Sequence, residues 1–464
     1  MDNKHTQSQS HTSNSNDLTQ GGIIRTLIRF SIPLLLANII QALYGAVDLM
    51  VIGKYCTAES VAAVSTGTQV TQIITSIITG MTLGGTILVG KYIGMGKPEE
   101  ARKAIGSTLT VFAGFSVILT VIMLLVGDTI LRLLHTPESA FSAAHDYTAI
   151  CFMGIFFICG YNAISSILRG YGDSVRPMMF VAIACIMNIF LDIIFVRYIG
   201  MDASGTALAT ILSQGFSMLF AVFYLNRHNF LFTFRLHNFR IDKDKVRELA
   251  GLSIPISFQE CMIRLSFLYL TAVVNSLGIY AASAVGVASK YDVFAMLPAT
   301  SIASALSAIT AQNLGAKKPE RIRKSVAAGL GIALSMSACF FAWAQISPES
   351  MIRNFADDAN IIKTGVPFFR TCSYDYLAVT FVFCLNGFLN GHSKTIFTMI
   401  SSCFGALALR MPLLYLVQRY APDSLAALGC VAPAVSGIMA LYTLIYCIKL
   451  LTASGKTLPA DRNL

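Results

Sequence analysis

Twelve stretches of this chain are apolar over about 20 residues or more, and they constrain the fold more than any other feature. A helix needs about 20 apolar residues to cross the hydrocarbon core of a bilayer, whereas membrane strands would show short alternating segments. The sequence therefore predicts an all-α, multi-pass membrane protein. Its predicted transmembrane helices lie near residues 26–50, 61–89, 105–127, 147–168, 178–198, 206–226, 250–275, 283–310, 325–345, 366–390, 396–418 and 427–451.

The composition supports a membrane protein over a soluble one. Only 12% of the 464 residues are charged, about half the share found in soluble domains. A net charge of +10 in a soluble protein would suggest nucleic acid, but no basic, aromatic-rich domain is present. The eleven cysteines lie mostly in apolar stretches, which favours small apolar packing over disulfides or metal binding.

The basic residues are unevenly distributed between the predicted loops. The loops on the side of the two termini carry 24 of the 34 Lys and Arg residues, and the opposite loops carry seven. Cytoplasmic loops are enriched in Lys and Arg. We therefore expect both termini in the cytoplasm and the protein in the cell (plasma or inner) membrane.

The chain contains an internal repeat. The loop GMGKPEEARK at 94–103 recurs as GAKKPERIRK at 315–324 with six identical positions, and SIP recurs at 31–33 and 253–255. LRGYGDS at 168–174 likewise corresponds to LNGHSKT at 389–395. The common offset of 221 or 222 predicts two parallel six-helix lobes, a known plan for transporters.

The repeat and the composition together predict the domain organisation. The polar start of the chain predicts disorder, and the basic segment between the repeats predicts a linker. The predicted parts are a disordered cytoplasmic tail at 1–22, an N-terminal lobe at 23–226, a cytoplasmic linker at 227–248, a C-terminal lobe at 249–451 and a cytoplasmic tail at 452–464.

Two carboxylates stand inside apolar stretches of the N-terminal lobe, Asp48 and Asp192. An Asp at the bilayer centre costs roughly 2.5–3.5 kcal/mol, so such residues usually face a water-filled cavity or a partner. Asn188 and Asp192 are four residues apart, as are Thr206 and Thr210, so each pair shares a helix face. These groups suit a small cation or a bound proton, although Asn and Thr also join helices by hydrogen bonds.

The C-terminal lobe lacks these carboxylates at the repeated positions, where Leu270 and Leu413 stand instead. It has charged residues of its own within the predicted spans. Pairing between helices or contact with a substrate would each explain them. The candidates are Glu260, Lys290, Asp292 and Asp375.

Several motifs resemble the multidrug and toxic compound extrusion (MATE) family in its DinF-like branch. They are IPLLLANIIQALYGAVDLMVIGK at 32–54, the loop GMGKPEEARKA, LRGYGDSVRP at 168–177 and NIFLD at 188–192. The resemblance covers about residues 22–451. It implies twelve helices in two lobes around a cleft that alternates access, and export of organic cations and amphipathic compounds driven by inward H⁺ or Na⁺.

The resemblance also implies roles for particular residues. Asp48, Asn188, Asp192 and Thr210 match the cation site of the N-terminal lobe, where Na⁺ is one of the two possible coupling ions. Relatives of the NorM type add acidic residues in the second lobe. Here Glu260 and Asp375 each lie about one helical turn early for that pattern.

The resulting hypothesis is a secondary active multidrug antiporter that works as a monomer in the lipid bilayer, without cofactor or nucleic acid. A flippase for lipid-linked precursors is the alternative, but it would need a basic cleft, and the predicted spans hold only Arg264, Lys290 and Arg410. A membrane enzyme would need a nucleophile and base or a metal cluster, which the spans do not suggest. A passive channel would not explain carboxylates in one half of a repeat.

Overall fold

The computed structural model describes residues 17–134, 136–228, 230–355, 357–421 and 424–453, and within them every regular element is helical. The α-helices are α1 (Ile23–Tyr55), α2 (Ala58–Gly94), α3 (Pro98–Leu133), α4 (Glu138–Met153), α5 (Ile155–Tyr171), α6 (Val175–Asp192), α7 (Ala203–Arg227), α8 (Lys243–Ser276), α9 (Ile279–Gly315), α10 (Pro319–Ile346), α11 (Pro348–Arg353), α12 (Ala359–Cys372), α13 (Tyr374–Gly391), α14 (Thr395–Cys403), α15 (Met411–Tyr420) and α16 (Leu425–Ala453). Two π-helical segments, Ile193–Tyr198 and Phe404–Arg410, continue α6 and α14, and a 3₁₀ turn covers Leu236–Asn238.

The all-α prediction is confirmed, and each predicted span coincides with helix in the described ranges. Ten helical segments are long and apolar enough to cross a membrane, and α4 with α5, bent by 45°, makes up to eleven. The remaining predicted span, 250–275, corresponds to α8, whose 34 residues begin with several charged side chains. Many helices extend beyond the predicted spans, because a helix continues past the hydrocarbon core into the polar region.

The hydrophobic core is divided between the two halves of the chain. One large cluster is built from residues between Ala37 and Phe232, and two others come mainly from residues between Val273 and Cys447. Helix α1 contributes to both halves. Its first turns bury Leu27 and Phe30 in a cluster of the second half, whereas Ile52 belongs to the cluster of the first half.

The two halves touch at the end of the molecule that carries residues 94–98, 230–242 and 315–319, which we call the linker end. There α2 packs against α8 and α9. Small residues allow the close approach: a Cβ at Gly84 would lie 2.1 Å from Ser253 Oγ, and one at Gly94 would lie 2.0 Å from the carbonyl oxygen of Gln312. Ser257 Oγ also donates to the carbonyl of Ile77 across this contact, at 2.8 Å.

The predicted tail at 1–22 needs one correction. Residues 17–22 are ordered, and Leu18 is buried at 4% exposure, so the disorder prediction is wrong for this segment. Residues 1–16 lie outside the described ranges, as do 454–464 of the predicted C-terminal tail.

The start of α8 also differs from the predicted linker boundary. The helix begins at Lys243, inside the range 227–248. Asp242 causes this early start, because its carboxylate accepts hydrogen bonds from the backbone N–H groups of Asp244 and Lys245 at 3.1 and 3.2 Å. Such a cap satisfies N–H groups that the first helical turn leaves free.

Candidate cation site

Asp48 and Asp192 lie together in the interior of the first half. Asp48 projects from the second half of α1 and is 7% exposed, and Asp192 ends α6 and is fully buried. The π-helical segment Ile193–Tyr198 follows Asp192 directly. Such departures from the α-helix occur often at functional sites, because they change the direction of the side chains around them.

Asn188 connects the two carboxylates. With the amide oriented to satisfy its neighbours, its nitrogen donates to Asp48 Oδ1 at 3.0 Å and to Asp192 Oδ2 at 3.3 Å. The predicted pair Asn188 and Asp192 therefore does share one helix face and meets Asp48 across helices. In this orientation the amide oxygen points away, so Asn188 would have to turn its amide to act as an oxygen ligand.

The other carboxylate oxygen of Asp192, Oδ1, contacts neither solvent nor a hydrogen-bond donor among the described residues. Asp192 Oδ1 is buried and has no hydrogen-bond partner among the described residues. The ion pairs of the described ranges include neither Asp192 nor Asp48. Two buried carboxylates without a basic partner are costly, and binding of a proton or a small cation would remove that cost.

Helix α7 supplies hydroxyl groups beside this pair. The hydroxyl of Thr210 faces Asp48 and Tyr44 but is not aligned for a hydrogen bond with either. Thr206 is fully buried, and its hydroxyl donates to the carbonyl of Ala203 in its own helix at 2.9 Å. Of the two predicted threonines, only Thr210 thus presents its hydroxyl to the carboxylates in the described contacts.

Two further residues lie at this site that were not predicted from the sequence, Tyr44 and Ser213. Their hydroxyl groups lie 3.5 Å apart, and Ser213 Oγ donates to the carbonyl of Thr210 at 2.8 Å. Helical spacing would have found both, because Tyr44 precedes Asp48 by four residues and Ser213 follows Thr210 by three. The site therefore combines carboxylate, amide and hydroxyl groups from α1, α6 and α7.

The second half has a different arrangement at the corresponding place. At the offset of 222 that relates the two SIP motifs, Tyr44 corresponds to Ser266, and at the offset of 221 that relates LRGYGDS to LNGHSKT, Asn188 corresponds to Leu409, which directly precedes Arg410. Arg410 Nη1 donates to Ser266 Oγ at 3.3 Å, and its guanidinium interacts electrostatically with buried Asp375. A guanidinium therefore lies beside the position where the first half has a neutral amide.

The other predicted polar residues of the second half do not form one group. Asp292 accepts a hydrogen bond from Tyr376 at 2.9 Å, and Glu260 interacts electrostatically with Arg264 on the same helix. Lys290 is exposed, and no ion pair in the described ranges includes it. Asp375 and Arg410 interact electrostatically across helices, but the ion pairs of the described ranges include neither of them.

Solved structures show the same fold. A structure described as the outward-facing conformation of a MATE family transporter of the MOP superfamily has a TM-score of 0.89 and 21% identity. The match covers 96% of this chain and 100% of that one. A MOP superfamily transporter from Pyrococcus furiosus, whose binding pocket is described as having reversed polarity, matches equally well.

Curated relatives match over most of the sequence. The probable multidrug resistance protein YpnP of Bacillus subtilis is 27% identical over 397 residues, which are 85% of this chain and 88% of that protein. The FAD transporter of Shewanella oneidensis is 23% identical over 91% of each chain. These matches cover 85% and 91% of the chain and so include most of both lobes.

The sequence model of the MatE family matches twice, at residues 33–194 and 255–416. The two matches are equally long and are displaced by the same offset as the SIP motifs, so they are the two halves of the internal repeat. Together they cover more than half of the chain. The chain belongs to the MatE family, the multidrug and toxic compound extrusion transporters.

Proposed function

We propose that this protein is a secondary active multidrug exporter, which antiports organic cationic and amphipathic compounds against inward H⁺ or Na⁺. The observation that carries this proposal is the buried pair Asp48 and Asp192, held by the Asn188 amide without a basic partner. The relatives named as multidrug resistance and multidrug export proteins support the class of substrate. The protein acts as a monomer in the cell membrane, with both termini in the cytoplasm.

The coupling follows from the site and from the contact between the lobes. With the linker end cytoplasmic, the described conformation is closed towards the cytoplasm. Uptake of a cation or proton by Asp48 and Asp192 from outside favours one arrangement of the lobes, and its release to the cytoplasm favours the other. An ion and a drug that stabilise different states are coupled by that difference alone.

The test is efflux of a fluorescent organic cation from proteoliposomes under an imposed pH gradient or an imposed Na⁺ gradient. We expect the wild type to respond to one of these gradients, and Asp192→Asn to lose most of that response. Asp128→Asn is the matched control, because Asp128 is an exposed carboxylate of the same lobe that pairs with His145 at 2.5 Å. Unchanged gradient dependence in Asp192→Asn would exclude this site from coupling.

The substrate panel separates a multidrug exporter from a dedicated carrier. Structurally unrelated organic cations should all be exported with the same gradient dependence. FAD belongs in the panel, because one relative is an FAD transporter. Transport of FAD or of a lipid-linked precursor, without transport of organic cations, would overturn the multidrug assignment while leaving the cation site open to the same test.

A further inference from the structure

We propose that two short segments form reciprocal clasps that hold the lobes together at the linker end. The N-terminal strap is residues 17–22, which lead into α1 of the first lobe. The linker strap is residues 238–245, which lead into α8 of the second lobe. Each strap is bound by helices of the opposite lobe, so each joins the two lobes.

The backbone of Leu18 carries the first contact. Its N–H donates to Gln312 Oε1 at 3.2 Å. Its carbonyl accepts from Asn313 Nδ2 and from Arg321 Nε, both at 3.2 Å. The side chain is buried in a cluster with Ile309 and other residues of the second lobe. Both backbone groups and the side chain are thus held by α9 and α10.

Arg321 is the central residue of this clasp. Besides Leu18, it donates through Nη1 to the carbonyl of Gly21 at 2.6 Å and through Nη2 to that of Gln20. Lys318 adds a bond from Nζ to the carbonyl of Thr19 at 2.8 Å. The planar guanidinium has several donors in a fixed arrangement, so it can collect carbonyl groups of one chain turn.

Gln312 extends the clasp to the body of the first lobe. While its Oε1 accepts from Leu18, its Nε2 donates to the carbonyl of Gly170 at the end of α5, at 2.8 Å. One side chain therefore holds the strap and a helix of the first lobe at once. Separation of α9 from α5 breaks this bridge.

The linker strap makes the corresponding contacts with α3 of the first lobe. Ser107 Oγ donates to the carbonyl of Arg240 at 3.3 Å and accepts from the N–H of Asp242 at 3.1 Å. Lys245 Nζ lies 2.7 Å from Glu100 Oε2. Gly106 allows this approach, because a Cβ there would lie 2.6 Å from the carbonyl oxygen of Asn238.

The internal repeat relates the two clasps. Leu18 and Arg240 correspond at an offset of 222, and in both the backbone carbonyl is the bound group. Glu100 and Arg321 correspond at the offset of 221 that aligns their loops. The two residues that bind the straps, Glu100 and Arg321, thus occupy equivalent positions in the repeat but carry opposite charges. Opening of the linker end would have to release the straps or move α1 and α8 with the opposite lobe. Each of these changes costs free energy, so the straps favour the closed state.

The test measures exposure of the closed interface in full-length protein in lipid nanodiscs. Ala311 is fully buried and lies against Gly90 of the other lobe, so the thiol introduced by Ala311→Cys reacts with a maleimide only when the linker end opens. Rates are compared with the parent chain to subtract native cysteines. The readout does not depend on which ion or compound is transported, so it can fail or succeed separately from the proposed function.

We expect Arg321→Ala to raise the labelling rate about tenfold, since it removes bonds from a charged group. Glu100→Gln should raise it about threefold, because its ion pair is more exposed. The double variant should give about the product of the two effects. Arg323→Ala and Glu99→Gln are the matched controls: Arg323 is exposed, and Glu99 pairs within its own helix with Arg102.

Labelling of both single variants at the control rate would overturn the proposal, whatever their transport activity. Leu18→Asn provides a second route to the N-terminal clasp if Arg321→Ala does not fold. It should raise labelling as Arg321→Ala does, and a control rate there would equally refute this clasp. Faster labelling with intact thermal stability supports clasps that act on the lobe arrangement rather than on folding.

Discussion

A single methyl group at position 94 should weaken the closed linker end. A Cβ at Gly94 would lie 2.0 Å from the carbonyl oxygen of Gln312 and 2.7 Å from its carbonyl carbon, whereas ordinary contact begins at 3.4 Å. Because the opposing atoms are backbone, α2 and α9 must separate by more than about 1 Å. Overpacking of this kind costs about 1–3 kcal/mol, or roughly 5–150-fold in the ratio of closed to open molecules.

The assay for Gly94→Ala is maleimide labelling of a cysteine introduced at Ser253, which is 5% exposed and faces Gly84 across the same interface. We expect labelling to be about tenfold faster than in the Ser253→Cys parent. Gly114→Ala is the control, since a Cβ there meets no atom within 4 Å. If Gly94→Ala leaves both the labelling rate and the thermal stability unchanged, the close contact between α2 and α9 is not a determinant of the closed state.

Two further substitutions test the polar interior. Asn188→Leu keeps the side-chain volume but removes the donor shared by Asp48 and Asp192, so gradient-driven efflux should fall about tenfold. Asn162→Leu is the control, because it alters an amide bonded within its own helix and should not slow efflux. Equal efflux in both variants would contradict a role for the Asn188 amide. Arg410→Met removes the guanidinium that interacts electrostatically with Asp375 and should destabilise the protein by about 1–2 kcal/mol, which a lower thermal unfolding temperature would show. Asp375→Asn in the same chain should partly restore that temperature, and no recovery in the double variant would show that the two groups do not act as a pair.

The fold was largely predictable because membrane solvent imposes a simple rule. Apolar segments of sufficient length must be helices, so the regions around α2 and α9 could be located from hydropathy alone. The repeat of GMGKPEEARK at 315–324 identified two related halves. Hydropathy says nothing about which helices meet, however, and α1 divides its packing between two cores.

The candidate site was predictable in its charged residues and less so in its geometry. Asp192 stands out because a carboxylate in an apolar run is rare, and Asn188 follows from helical spacing. Tyr44 is marked only by its spacing of four residues from Asp48, since tyrosine is common in membrane helices and its residue type alone indicates nothing. The order of residues 17–22 could not be read from composition, because it depends on Gln312 and Arg321, nearly 300 residues away in the chain.

The two halves of the repeat differ in how a buried negative charge is neutralised. In the second half the guanidinium of Arg410 is part of the protein and interacts electrostatically with Asp375 in the described conformation. In the first half Asn188 has no charge to offer, and Asp48 and Asp192 have no basic partner in the described ranges. Under the proposed function, the first half therefore needs a cation that can leave, and a cation that leaves on one side of the membrane and arrives from the other is what an antiporter requires. The same backbone frame thus places a guanidinium near a carboxylate in one half and an uncharged amide between two carboxylates in the other, and under the proposed function this is the depth at which the two halves of the repeat had to diverge.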